Sequence, residues 1–202
     1  MTSHRPFCAV VPAAGEGRRY GGVKALAPVD GDEALTVVAR RARRAGAADV
    51  VVVTGYHRDQ VAAAARRCGA REACNPAPER GMIGSVRVGL TAAGPGRDVL
   101  LWPVDHPFVS EETVRRLVGA RDGRAVVPTH AGRGGHPVLL PADWHADVLA
   151  LDDQGGLDRL VRASSERVLR LSVDDPAVLW NVNTRADLER YARARRPEAG
   201  HT

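Results

Sequence analysis

Lysine is almost missing from this chain. Lys24 is the only one in 202 residues, against a combined Lys and Arg count of 29, so surface positive charge is carried by arginine. Aromatic residues make up only 4%. The arginine run Arg40, Arg41, Arg43, Arg44 therefore has no interleaved stacking side chains and reads as a solvated helix face, which argues against a nucleic-acid partner. Cys8, Cys68 and Cys74 are odd in number and form no C-x-x-C, so neither a disulfide framework nor a zinc site is expected. No apolar run approaches the length of a membrane span, and Met1 to Phe7 lacks the apolar core of a signal peptide. The expectation is a cytoplasmic protein with no membrane partner.

What is present is the periodicity of a doubly wound α/β protein. Cys8 to Val11, Asp49 to Thr54, Arg71 to Cys74 and Asp98 to Val104 read as strands. The second and fourth are the short all-apolar runs of parallel strands covered on both faces. Between them, Ala34 to Ala45, Arg58 to Arg67 and Met82 to Ala92 read as helices, and Ser110 caps another to Val118, with Glu111 and Glu112 in its first turn. The second half changes character. Arg124 to Thr129 and His136 to Leu140 pair as antiparallel strands about the turn Ala131 to Gly135. Pro141 to Leu151 is helical, Gly155-Gly156 opens a short helix through Arg162, and Arg167 to Val173 is a strand. Thr184 caps the last helix, to about Arg195. Residues 1–202 make one domain with halves at about 8–123 and 124–196, and 197–202 form a frayed tail.

The chemistry gathers at Val10 to Lys24, V-V-P-A-A-G-E-G-R-R-Y-G-G-V-K. Glycine lets backbone amides approach an anion without a Cβ in the way. Arg18, Arg19 and Lys24 bring enough positive charge to the same loop for a triphosphate. The spacing G-x-G-x-x-x-G is one residue too long for a dinucleotide fingerprint, and Lys24 is followed by Ala25 rather than the Ser or Thr of a P-loop. In a parallel sheet, ligands sit beyond the carboxyl ends of the strands. That edge collects this loop, Gly55-Tyr56 and Asp105, whose carboxylate suits a hard cation.

The loop resembles the signature of MobA-like NTP transferases, and within them of the molybdenum cofactor cytidylyltransferases. Four further strings match in order: N-P-x-x-x-x-G-M-x-x-S over Asn75 to Ser85, V-D-H-P at Val104 to Pro107, G-H-P-V at Gly135 to Val138, and W-N-V-N-T-R-A-D-L at Trp180 to Leu188. The resemblance implies a three-layer, Rossmann-type (GT-A-like) fold with a mostly parallel sheet and a small antiparallel extension on the acceptor side. It assigns the first half to the nucleotide and the second to the acceptor. Ala13, Ala14, Gly15, Gly17, Arg18, Asn75, Gly81 and Ser85 would bind nucleotide. Arg19 would take the β- and γ-phosphates, and Lys24 the α-phosphate. Asp105, with Asn183, would hold magnesium; many cytidylyl-transferring members carry aspartates where this chain has Asn181 and Asn183. His106 and His136 would contact the acceptor, with Arg133 and Asp153 nearby. His57 and His130 read as surface or packing residues.

The implied reaction is attack of an acceptor phosphate on the α-phosphorus of an NTP, with pyrophosphate leaving. The Ala13-Ala14-Gly15 opening favours CTP over GTP, and the implied acceptor is the molybdopterin-bound molybdenum cofactor, destined for a molybdoenzyme. Two rival readings are an NAD(P)H-dependent reductase of the nicotine blue type and a non-catalytic nucleotide-binding chaperone for a molybdoenzyme.

Overall fold

The computed structural model describes residues 6–153 and 156–195. The strands are β1 (Phe7–Pro12), β2 (Pro28–Val29), β3 (Asp32–Glu33), β4 (Asp49–Thr54), β5 (Arg71–Cys74), β6 (Asp98–Leu101), β7 (Ala125–His130), β8 (Arg133–Gly134), β9 (Val138–Leu140) and β10 (Val168–Ser172). The helices are α1 (Ala34–Arg44), α2 (Arg58–Arg67), α3 (Met82–Ala93), α4 (Glu111–Gly119), α5 (His145–Leu149), α6 (Leu157–Ala163) and α7 (Arg185–Arg195).

The main sheet runs β10-β7-β9-β6-β1-β4-β5, with β8 paired to β7. β1 lies parallel to both β4 and β6, and β4 is parallel to β5. β9 is inserted between β6 and β7 and runs antiparallel to both, whereas β10 is parallel to β7. β2 and β3 make a separate two-stranded ribbon.

The apolar runs of the central strands are divided between two cores by the period-2 alternation of a strand. Ala9, Val11, Val50 and Val52 pack with Leu35 and Val38 of α1, Val61 of α2 and Leu117 of α4. Cys8, Val10, Val51 and Val53 face the other way, against Ile83, Val86 and Leu90 of α3 and Val161 of α6. Helix, sheet and helix are thus three layers, which is why these strands need apolar residues at every position.

Three segments differ from the sequence reading by more than one residue. β6 ends at Leu101 rather than Val104, because Pro103 has no N–H to offer a ladder. The segment still follows β1 through Trp102 N–H to Val10 O (2.9 Å) and Val104 N–H to Pro12 O (3.2 Å), and it delivers Asp105 to the sheet edge. β9 starts only at Val138, after Pro137. Pro141 to Leu151 is broken into a 3-10 turn at Ala142–Trp144 and the short α5. Gly155 and the expected frayed tail lie outside the described residues.

Candidate active site

β1 stops at Pro12 and the chain enters the glycine loop, anchored by Ala13 N–H to Val53 O at 2.9 Å. Gly17 has φ +72°, and a Cβ there would collide with the carbonyl oxygen of Gly22, so this turn requires glycine. A 3-10 turn, Lys24–Leu26, ends the loop. The third component arrives from the far end of the chain. Val182 N–H donates to Asp105 O (2.8 Å), and a capping box fixes the backbone from Asn183 into α7. In that box Asp187 N–H donates to Thr184 Oγ1 (3.0 Å), while the Asp187 carboxylate accepts from the N–H groups of Asn183 (3.1 Å) and Thr184 (2.9 Å).

These three pieces bring their side chains together. Lys24 Nζ donates to Asn183 Oδ1 at 2.8 Å and lies 3.5 Å from Asp105 Oδ2. Arg19 donates to the same Asn183 oxygen at 3.1 Å. Two cations therefore share one carboxylate and one neutral amide, leaving uncompensated positive charge at the edge of the sheet. A cavity of about 560 Å³ opens beside it. Its lining includes Ala13, Ala14, Gly15, Gly17, Arg18, Arg19, Lys24, Gly81, Ser85 and Asp105.

Other expected site residues stand differently. Arg18 is ion-paired to Glu16 at 2.6 Å and largely exposed, so one of the three loop cations is already neutralised. Asn75 is buried; its amide donates to Ser85 Oγ (3.0 Å) and its oxygen accepts from Ala77 N–H (3.0 Å). It holds Ser85 in place at the cavity wall. Gly81 caps α3 with φ +95°. His106, expected to contact the acceptor, is 6% exposed, lies beneath His136 with ring centroids 4.9 Å apart, and lines neither this cavity nor the one that His136 borders. Burial, then His136 and Lys24, push its pKa down to about 3. Burial also lowers that of His136, against the opposing charges of Asp105 and Asp158. The Nδ1 atoms of both imidazoles are buried without a hydrogen-bond partner among the described residues. Asp153, also expected near the acceptor, is clamped by Arg80 and Arg87, each at 2.7 Å. Arg133 is exposed on β8. His57 bonds Glu16 O and His130 bonds Val173 O, both as packing contacts.

The oxygen donors of the cluster are few. Among the described residues no group of three or more His, Cys, Asp or Glu side chains could hold a metal. One carboxylate and one amide are too thin a set for a resident ion. They fit a hard cation that arrives with phosphate, since magnesium commonly takes one or two carboxylates and completes its shell with phosphate oxygens and water.

The family model described as the MobA-like NTP transferase domain matches residues 9–168. The chain belongs to that family. Among curated proteins, the bifunctional protein GlmU of Sorangium cellulosum is 32% identical over 177 residues, 83% of this chain and 34% of that protein. The chain thus spans about a third of the length of the GlmU proteins it matches. Nicotine blue oxidoreductase of Paenarthrobacter nicotinovorans is 34% identical over 142 residues, 66% of this chain and 70% of that protein. Among solved structures, a nucleotidyl transferase from Methanothermobacter thermautotroptrophicus (Mth528) superposes with a TM-score of 0.83 at 25% identity, covering 95% of this chain and 98% of that one.

This MobA-like domain has a second cavity, of about 490 Å³, bounded by α3, β6, β7, β9 and α6. His136 lies on its wall, and Met82 lines both cavities. Tyr56, Pro78, Glu79 and Met82 also line the first cavity, although sequence reasoning gives none of them a role there. The sequence reading places Gly55-Tyr56 at this edge as the turn after a strand, and the cavity includes Tyr56. No helix among the described residues is long and apolar enough to cross a membrane.

Proposed function

We propose that this protein transfers a nucleoside monophosphate from an NTP, CTP by preference, to a phosphate-bearing acceptor of the molybdenum cofactor type, releasing pyrophosphate. The observation that carries the reading is the convergence of Lys24, Asp105, Asn183 and Arg19 on one cationic cluster beside a cavity walled by the glycine loop.

A phosphate nucleophile is ionised near neutrality and needs no general base, so the rate must come from positioning and charge neutralisation. Arg19 holds the β- and γ-phosphates. Lys24 follows the α-phosphate as charge moves to the bridging oxygen, and an ammonium on a flexible stem can move with it as a planar guanidinium cannot. For that, Lys24 and Arg19 must leave Asn183 Oδ1, which frees the amide oxygen and Asp105 to hold magnesium. The magnesium ion supplies charge neutralisation across the phosphates when bound. Loop amides and Ser85 orient the nucleoside, and the second cavity takes the acceptor.

The test is NTP-dependent release of pyrophosphate with magnesium, together with a screen of the four NTPs for protection against thermal unfolding. CTP with magnesium should protect most; equal indifference to all four NTPs would remove the proposal. The reductase reading retains one specific support, the similarity to nicotine blue oxidoreductase over 70% of that protein. NADH oxidation in the absence of NTP would establish it instead. A chaperone would protect with NTP and release nothing.

A further inference from the structure

Aromatic side chains are scarce in this chain, and nearly all are spoken for. Phe7, Phe108, Trp102, Trp144 and Tyr20 are at most 5% exposed, and Trp180 stacks on Tyr191 with ring centroids 4.8 Å apart and planes 4° from parallel. Tyr56 is the exception, at 46% exposure. Only three large apolar side chains among the described residues are exposed, Tyr56, Met82 and Leu149, and two of the three line the nucleotide cavity. An aromatic ring left unpacked at a cavity mouth is a surface awaiting a flat partner.

Its backbone is held firmly. Tyr56 N–H donates to Ala14 O at 3.2 Å. The preceding Gly55 sits so close to the glycine loop that a Cβ there would lie 2.6 Å from Ala14 O and 2.9 Å from Pro78 Cβ. Tyr56 therefore stands beside Ala14 and Pro78; it follows β4, which flanks β1 on the side opposite β6, the strand that leads to Asp105.

We infer that Tyr56 is the stacking platform for the nucleobase, a contact that contributes affinity for the nucleoside and none for the triphosphate. The inference rests on the nucleotide reading of this cavity. Stacking on a π-face accepts any base, so Tyr56 supplies grip while the polar groups around Ser85 supply discrimination among bases.

The experiment compares binding of CTP and of inorganic tripolyphosphate, both with magnesium, by isothermal titration to wild type, Tyr56→Ala and Tyr56→Phe. The exposed position leaves folding intact, which the thermal midpoint of each unliganded variant verifies. Tyr56→Ala should weaken CTP by about 5- to 150-fold and leave tripolyphosphate unchanged, and Tyr56→Phe should bind CTP like wild type. Equal weakening of both ligands would make Tyr56 a phosphate contact, and no weakening of either would leave it a bystander; each result overturns the inference. If wild type binds CTP and only the Tyr56 effect is missing, the inference falls and the nucleotide reading stands. If wild type binds neither ligand, both fall.

Discussion

The two cavities share Met82 and are similar in size, yet their charged groups are arranged differently. The first is walled by loop backbone and by charges already in contact with one another, Lys24 with Asp105 and Asn183, Arg18 with Glu16. The second sets aliphatic side chains such as Ile83, Val86, Leu101 and Val161 beside His136 and Asp158. Its rim guanidiniums, Arg162 and Arg170, have no ion-pair partner among the described residues, although most arginines of this chain have one. Charge chemistry on phosphates tolerates few residue types at few places. Apolar shape can be made by many combinations of residues, so the second cavity places looser demands on residue type than the first.

The sharpest way to break that comparison is to remove the charges. Lys24→Ala and Asp105→Ala should each cut the pyrophosphate-release rate by about 10²- to 10³-fold, as loss of a transition-state contact does, with thermal midpoints close to wild type. Lys24→Arg keeps the charge but not the flexible stem, and turnover should still fall by more than about tenfold. A Lys24→Arg enzyme as fast as wild type would show that only net charge matters in the loop.

The wall of the second cavity should respond in stability rather than in rate. Leu101 is 2% exposed and belongs both to that wall and to the core beneath α3. Leu101→Ala should cost about 2–5 kcal/mol of stability by urea unfolding, the usual penalty for emptying a packed aliphatic site. Asp105→Ala should stay within about 1 kcal/mol of wild type in the same assay, because deleting the carboxylate leaves Lys24 bonded to Asn183.

The same contrast governs what could be read in advance. The nucleotide half was legible almost residue by residue: α2 spans Arg58–Arg67 and β5 spans Arg71–Cys74, both as expected. There, all-apolar runs alternate with amphipathic helices, and the pattern has one solution. The acceptor half was legible only in outline. β9 pairs antiparallel with β7 as expected, but it also pairs with β6, a long-range choice that no local period records. At the site, the meeting of Lys24 with Asp105 followed from strand ends sharing an edge. The neutralisation of Arg18 by Glu16, two residues away, is set by which rotamers the loop allows, and the burial of His106 by how Trp102 and His136 pack against it.

Acid should probe the seam between the halves, where His106 lies under His136. Both imidazoles are held neutral in the fold, whereas in the unfolded chain they titrate near 6.5. The unfolded state thus binds more protons below pH 6.5. Stability is full above that pH and is lost as pH falls from 6.5 toward 3. His106 alone should account for about 1.4 kcal/mol per pH unit over that window. His106→Phe should flatten the slope measured by urea unfolding at stepped pH; an unchanged slope would assign the acid sensitivity elsewhere.

The smallest effect separates structure from function through two helix caps of the same chemistry. Ser110 Oγ accepts from Thr113 N–H at the start of α4, and Thr184 Oγ1 accepts from Asp187 N–H at the start of α7. Each to alanine should cost about 1 kcal/mol of stability. Only Thr184 adjoins Asn183, whose oxygen holds Lys24 and Arg19, so Thr184→Ala should also slow pyrophosphate release by a few-fold while Ser110→Ala leaves it unchanged. If both variants lose stability alike and neither loses rate, the capping box merely ends a helix and Asn183 keeps its place without it, held by the Val182-to-Asp105 backbone bond.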